Sequence, residues 1–194
     1  IKIPSEATID TTPPKIDIPG AKFGCQLVDE KGEIVNYLAV MGSESDKTYE
    51  LQITGETLVN DFYLESADIT IDFNTSIFTA FDESAVTISD QYQLANAVDV
   101  DLDQGTVRFA ASSLSDLDKG HGIGNEEGVI ATIKLDFNED GLAALARNED
   151  GSFVDNPFGF EITANLNDTV LSRDIDDGSA VSYTHLTLPT MRTV

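Results

Sequence analysis

The sequence predicts an all-β fold, an antiparallel β-sandwich of the jelly-roll type, from three observations. Apolar and polar side chains alternate in several short segments, which is the period of a strand with one buried and one solvated face. Turn-forming residues separate these segments at short intervals. Only one short stretch has helical periodicity. With 194 residues, 41% of them hydrophobic, the chain is long enough to bury a core.

The strand segments are justified in order along the chain. The stretch 25–41 predicts a hairpin with Lys31 and Gly32 in its turn. Five further segments alternate with period two, which predicts half-buried strands. These segments are 49–53, 67–73, 107–111, 129–137 and 158–164.

The same alternation predicts which side chains enter the core. The expected core residues are Ile69, Ile71, Phe73, Val107, Phe109, Val129, Ile133 and Leu135. On the first of these strands, Asp68, Thr70 and Asp72 are expected to face solvent. The helical signal covers 141–147, about two turns, so this helix would cap or cross the sheet rather than build the fold.

The two ends differ from the middle. Residues 1–20 include Pro13 and Pro14 and predict a stiff inter-module linker in front of a domain at 21–180. From residue 181 onward the chain contains no acidic residue, and 181–194 resembles a translated sequencing adapter. We therefore expect this tail to be artefactual and exclude it from the fold. A gene that ends in this way would be a truncated one from uncultured material.

The charge balance excludes some functions. With 35 acidic and 11 basic residues the net charge is −24, which would repel nucleic acid and disfavours anionic membranes. The one cysteine, Cys25, excludes an intrachain disulfide and a multi-cysteine zinc site, and we expect it to be buried as a small apolar residue. Apolar runs are all shorter than a membrane span.

Catalytic residues are not expected. Nucleophilic catalysis of the common kinds needs a histidine, and the chain has only His121 and His185. The second lies in the excluded tail. The first lies in a glycine-rich loop that lacks the lysine and the following helix of a phosphate-binding loop, so it is expected to be solvated.

Residues 65–81, 105–113 and 128–137 form three strand segments with characteristic sequence patterns. Together they resemble the cohesin family. The first ends in the family's Asp/Asn-x-Ser/Thr-aliphatic turn, with Asn74, Ser76 and Ile77 in those places. The second is similar to the family's central strand and the third to its Gly-Val-aliphatic-Ala-Thr strand. The resemblance is clearest over 48–137.

This resemblance implies a non-catalytic module of a secreted or cell-surface multimodular bacterial protein that docks a protein partner such as a dockerin. The contact residues of the family follow no motif, so partner-binding residues stay unknown. A carbohydrate-binding module and a structural spacer of a large adhesin are the alternatives. Polysaccharide platforms usually need exposed aromatic side chains, and the chain has no Trp, which favours docking or spacing.

One loop has the spacing of a calcium site. Asp136, Asn138 and Asp140, followed by a glycine, match the first six positions of an EF-hand loop, and the Leu142 carbonyl could add a further ligand. The twelfth position is Arg147 instead of the usual glutamate. The alternative is structural: the strand ends here and Asp140 caps the short helix. Calcium is the only cofactor that the sequence suggests.

A second acidic run places Asp99, Asp101 and Asp103 at alternate positions before Gly105. The glycine comes one residue late for a metal loop. The simpler interpretation is a strand that carries these three carboxylates on its solvent face.

Overall fold

Thirteen strands, one short 3-10 helix and a helical turn at 140–141 make up the regular structure of the computed structural model in its described part. The described residues are 8–10, 16–18, 20–35, 37–39, 49–58, 60, 62–77, 82–92, 97–113, 122–136, 138, 140–141, 145, 147–151, 154, 160–165, 170–174 and 180–183. The strands are β1 Thr8–Asp10, β2 Ile16–Ile18, β3 Ala21–Val28, β4 Tyr37–Ala39, β5 Tyr49–Thr57, β6 Tyr63–Asp72, β7 Val86–Ile88, β8 Ala97–Asp101, β9 Thr106–Ser112, β10 Gly128–Leu135, β11 Glu161–Ala164, β12 Val170–Asp174 and β13 Ala180–Tyr183. The 3-10 helix is Glu83–Ala85.

Two antiparallel sheets form the sandwich. The five-stranded sheet has the order β2-β3-β5-β10-β7. The six-stranded sheet has the order β13-β12-β6-β9-β8, and β11 also pairs with β6. The chain crosses between the sheets after β5, β6, β7, β9 and β10, so neighbouring strands are often distant in sequence, as in a jelly roll. The predicted all-β antiparallel sandwich is confirmed, and no described helix is long and apolar enough to cross a bilayer.

The inner faces of both sheets contribute to one hydrophobic core. Phe23 and Ile53 from the five-stranded sheet are fully buried, as are Ile69 and Phe109 from the six-stranded sheet. The predicted core residues other than Val129 are all buried. Cys25 on β3 is also buried, with 2% of its surface exposed, as predicted.

The prediction for Val129 is wrong, because β10 contains a bulge. Val129 pairs with Thr54 of β5, but Ala131 already pairs with Ile53, so Ile130 is an additional residue. A bulge of this kind interrupts strict alternation, since two residues on one strand oppose one on the other. As a result Val129 is half-buried, whereas Ile130 is fully buried.

The predicted hairpin exists only at its turn. The Asp29 carboxylate accepts hydrogen bonds from the backbone N–H groups of Lys31 and Glu33, and Gly32 has a φ of 77°. Beyond this turn a single bridge joins Val28 to Ile34. The chain then leaves β3, and β4 pairs with β1 instead, which the pattern of a local hairpin did not predict.

Strands extend past both predicted domain boundaries. Within the predicted linker, β2 pairs with β3, with Ile16 opposite Phe23, so the sheet begins before residue 21. Beyond residue 180, β13 includes residues 181–183 of the predicted tail and pairs with β12. Alternation over three or four residues is too short to predict such strands. Residues 184–194 lie outside the described residues.

The predicted helix at 141–147 is shorter than expected. Asp140 and Gly141 are helical, but Leu145 and Arg147 are not. Arg147 donates from Nη1 to the carbonyl oxygen of Gly151, at 2.8 Å, across the turn at 148–151. The chain has therefore left the helical path before the end of the predicted segment.

Candidate docking surface

The outer face of the six-stranded sheet presents a regular array of short side chains. Directly opposed residues on antiparallel strands point to the same side of a sheet. The register therefore aligns Thr163 of β11, Thr70 of β6, Arg108 of β9 and Asp99 of β8 in one row across four strands. This row crosses the middle of the face.

Two further rows flank the middle one. They contain Glu161, Asp72, Thr106 and Asp101 on one side and Asp68, Ala110 and Ala97 on the other. We call these three rows the acidic face. It holds five carboxylates and one cation, and its other side chains are threonine and alanine, so the face is negatively charged and most of its side chains are short.

The single cation is held by a two-point ion pair. Arg108 donates from Nε to Oδ1 of Asp68 at 2.9 Å and from Nη2 to Oδ2 at 2.5 Å. Asn165 donates to the same carboxylate, at 3.4 Å from its Nδ2, and its backbone N–H bonds the Asp68 carbonyl. Asp68 points outward, but these groups cover it, so the prediction that it faces solvent is wrong: only 5% of the residue is exposed.

The ion pair fixes the charge of Asp68. The hydrogen bond from Arg108 lowers the pKa of this carboxyl, burial opposes the effect, and the Asn165 amide lowers the pKa further. The Arg108 side chain keeps 59% of its surface exposed, so it forms part of the outer surface of the acidic face.

We expect Asp68 to make folding acid-sensitive. Because its pKa is lower in the folded than in the unfolded chain, its contribution is complete above roughly pH 4 and is lost as pH falls through the folded-state pKa. Urea unfolding at pH 7 and at about pH 3 should therefore show Asp68→Asn to be less stable than the parent at pH 7, with the gap narrowing in acid. Asp103→Asn, at an exposed turn position, is the control. A pH-independent gap would contradict this assignment.

Polar groups on the opposite outer face pair with each other. On the five-stranded sheet, Lys22 forms an ion pair with Glu56 at 2.5 Å, and Gln26 donates to Gln52 at 2.9 Å. The acidic face of the six-stranded sheet differs, because most of its carboxylates are not paired with a cation within the described residues. In the described part of the chain, Asp72 and Asp99 have no cationic partner, and neither has Glu161. The acidic face is thus the sheet surface with charge left to offer a partner.

A buried polar cluster lies at one end of the sandwich, and the sequence analysis missed it. The Glu65 carboxylate accepts hydrogen bonds from the Ser113 hydroxyl and, at 3.3 Å, from the backbone N–H of Gly122. Tyr92 donates to the Leu64 carbonyl at 2.9 Å and accepts at 3.1 Å from the backbone N–H of Ile123. These bonds attach the segment at 122–123 to β6.

The Tyr92 hydroxyl stays protonated in this cluster. Burial raises the pKa of Tyr92; the N–H of Ile123 opposes the shift, and the nearby Glu65 charge adds to it. The cluster links four separated parts of the chain, so its residues are not neighbours in sequence. No local motif could have identified it.

The residues of the predicted calcium loop lie close together just after β10. Asp136 and Asp140 are exposed, and Asn138 is half-buried. Asn138 Oδ1 accepts the backbone N–H of Asp140 at 3.1 Å, so Asn138 and not Asp140 caps the start of the helical turn. Leu142 lies outside the described residues. Among the described residues, no three His, Cys, Asp or Glu side chains gather in a possible metal site.

The second acidic run forms a strand and a turn, in agreement with its simpler interpretation. Asp99 and Asp101 belong to β8, and Asp103 is exposed in the turn that follows. Asp101 Oδ1 accepts the backbone N–H of Gln104 at 3.0 Å, and Gly105 has a φ of 73°. His121 and His185 lie outside the described residues.

Comparisons with known proteins return structures only. No family model and no curated protein match the chain. Among solved structures, a cohesin of Acetivibrio cellulolyticus in complex with a dockerin is 15% identical, with a TM-score of 0.41, covering 72% of this chain and 78% of that one. A cohesin–dockerin complex from Clostridium thermocellum is 14% identical, with a TM-score of 0.40 and coverages of 69% and 80%.

A cohesin module from a family 33 glycoside hydrolase of Clostridium perfringens is 16% identical, with a TM-score of 0.38 and coverages of 61% and 84%. These structures are cohesin modules, the family that three strand segments of the sequence resemble.

Proposed function

We propose that this chain is a non-catalytic docking module that binds a protein partner on the acidic face. The observation that carries the proposal is the array itself, a four-strand surface on which four of the five carboxylates lack cationic partners among the described residues and the one arginine is half exposed. Charge on such a surface steers a basic partner and sets its orientation.

The composition of the face supports a protein partner over a polysaccharide. Sugar-binding platforms stack sugar rings on exposed aromatic side chains, but the three rows contain none. Threonine and alanine instead allow close approach of another protein, with hydrogen bonds at the rim and small side chains at the centre. A dockerin-like partner is the class that the three strand segments imply, and a secreted or cell-surface location goes with it.

Binding to purified dockerins tests the proposal. Isothermal titration against a panel of dockerins should give at least one complex, and Asp99→Lys should weaken it by tenfold or more because it reverses an unpaired charge in the middle row of the acidic face. Glu126→Lys makes the same charge change in an exposed loop away from this face and should leave affinity unchanged. Binding to insoluble polysaccharide, with no dockerin bound, would instead favour the carbohydrate-binding alternative.

We also propose that Asp136, Asn138 and Asp140, with the Leu142 carbonyl, hold a weak calcium ion. The sequence spacing of these residues supports this, and Asn138 Oδ1 retains a lone pair beyond its bond to the Asp140 N–H. Neutralising carboxylates in a chain of net charge −24 would also relieve repulsion in the folded state.

Thermal unfolding tests the calcium proposal. With a dissociation constant of about 10⁻⁴–10⁻³ M, typical of extracellular modules, about 10 mM calcium should raise Tm by several degrees relative to chelator. Asp140→Ala should abolish the shift, Asp103→Ala should keep it, and magnesium should substitute poorly. The absence of a shift in the parent, or its survival in Asp140→Ala, would refute the site.

A further inference from the structure

Strand β8 is an edge strand beside an open groove. Within the described residues β8 pairs with β9 alone, so the backbone groups on its other side are available to a further strand. Next to it, a groove of about 500 Å³ separates β8 from the 3-10 helix Glu83–Ala85. Val100 and Leu102, both half-buried against the core, form its apolar side.

The opposite side of the groove is acidic. Asp82 and Glu83 line it and are exposed. The Ser84 hydroxyl and its backbone N–H both donate to Oδ1 of Asp82, which lowers the pKa of this carboxyl and leaves Oδ2 without a described donor. Asp99 and Asp101 add charge along the strand itself. The groove therefore combines apolar contact area with two carboxylates, and the two on β8 lie beside it on the outer face of the sheet.

From this geometry we propose that the β8 edge binds an extended, basic segment of a protein partner by strand addition. The backbone of the segment would bond the free side of β8, which gives affinity without sequence preference. Lysine or arginine side chains turned into the groove would lay their aliphatic stems on Val100 and Leu102 and place their charged ends at Asp82 and Glu83. The inference concerns an edge and not the acidic face, so it does not rest on the proposed function.

Charge complementarity selects this occupant over a second copy of the chain. Two copies joined edge to edge would bring the carboxylates of both β8 strands together, and repulsion between them opposes pairing, as charged edges do in natural sheets. A basic segment is instead attracted to this edge, because each of its lysines would neutralise a carboxylate that has no cationic partner in the described part.

Synthetic peptides of roughly eight residues, long enough to cover β8, provide the test. The probe alternates Lys and Thr, and the matched control, the Lys-Pro peptide, repeats Lys-Lys-Pro-Pro. The control has the same charge, but proline falls on both edges of the extended peptide, so neither edge can complete a strand ladder. Affinity is measured by fluorescence anisotropy, and hydrogen exchange measures protection of the β8 amides.

We expect the Lys-Thr peptide to bind, the Lys-Pro peptide to bind at least tenfold more weakly, and β8 amides to exchange more slowly in the complex. Glu83→Lys should weaken binding about two- to fivefold, with Glu126→Lys unchanged. Equal affinity for both peptides would indicate charge attraction alone and overturn the proposal. It would also be overturned by unprotected β8 amides, by equal effects of the two variants, or by no binding. A failure to bind dockerins would count against the proposed function but not against strand addition at the β8 edge.

Discussion

Gly122→Ala should destabilise the sandwich by roughly 3 kcal/mol or more. A Cβ added at Gly122 would lie 1.8 Å from the carbonyl oxygen of Leu64, a backbone atom that cannot turn away. The segment would have to move off β6. That movement would break the 2.7 Å bond from the Leu64 N–H to the Ile123 carbonyl and the bond from the Ile123 N–H to Tyr92.

Gly124→Ala is the matched control, two residues further along the same loop. Its Cβ would lie 3.7 Å from the Tyr63 ring, an ordinary contact, and its cost should stay within about 1 kcal/mol. Chemical denaturation of both variants measures the difference. Equal stability of the two would mean that Gly122 is not pressed against β6.

Ile130→Ala should cost roughly 2–5 kcal/mol, the usual range for a fully buried isoleucine, and Ile133→Ala should cost a similar amount. Val129→Ala should cost about 1 kcal/mol or less, because the bulge turns this side chain to the half-buried outer face. Urea unfolding of the three variants measures these costs. The opposite ranking of Val129 and Ile130 would show that β10 runs without a bulge, as strict alternation predicts.

The strands and most of the core could be predicted because each rests on local alternation. Ile69, Ile71 and Phe109 are buried where period two places them. At Val129 the same rule fails, because a bulge depends on the pairing of β10 with β5. The sequence of β10 alone does not show where such a bulge occurs. The partner of β4 was missed for a similar reason: pairing with β1 joins residues about thirty positions apart.

The candidate surfaces were predictable only in part. Asp99, Asp101 and Asp103 alternate in the sequence, and this pattern correctly predicted that Asp99 and Asp101 lie on the outer face of β8. The acidic face also needs the register of β6, β9 and β11, which no local pattern encodes. Asp68 shows the limit most clearly. Its polarity suggests exposure, but Arg108 and Asn165, 40 and 97 residues away, cover it.

The buried position of Cys25 allows unfolding of the protein to be measured by the chemical reactivity of this residue. Its thiol, the only one in the sequence, lies in the core on β3, which pairs with strands on both sides. A thiol reagent needs the exposed thiolate, so it can modify the protein only when the sandwich opens. The labelling rate of the unaltered protein, measured against reagent concentration, would therefore report opening of the core directly. Stabilising ligands at the surface should slow that reaction even though they never touch the sulfur.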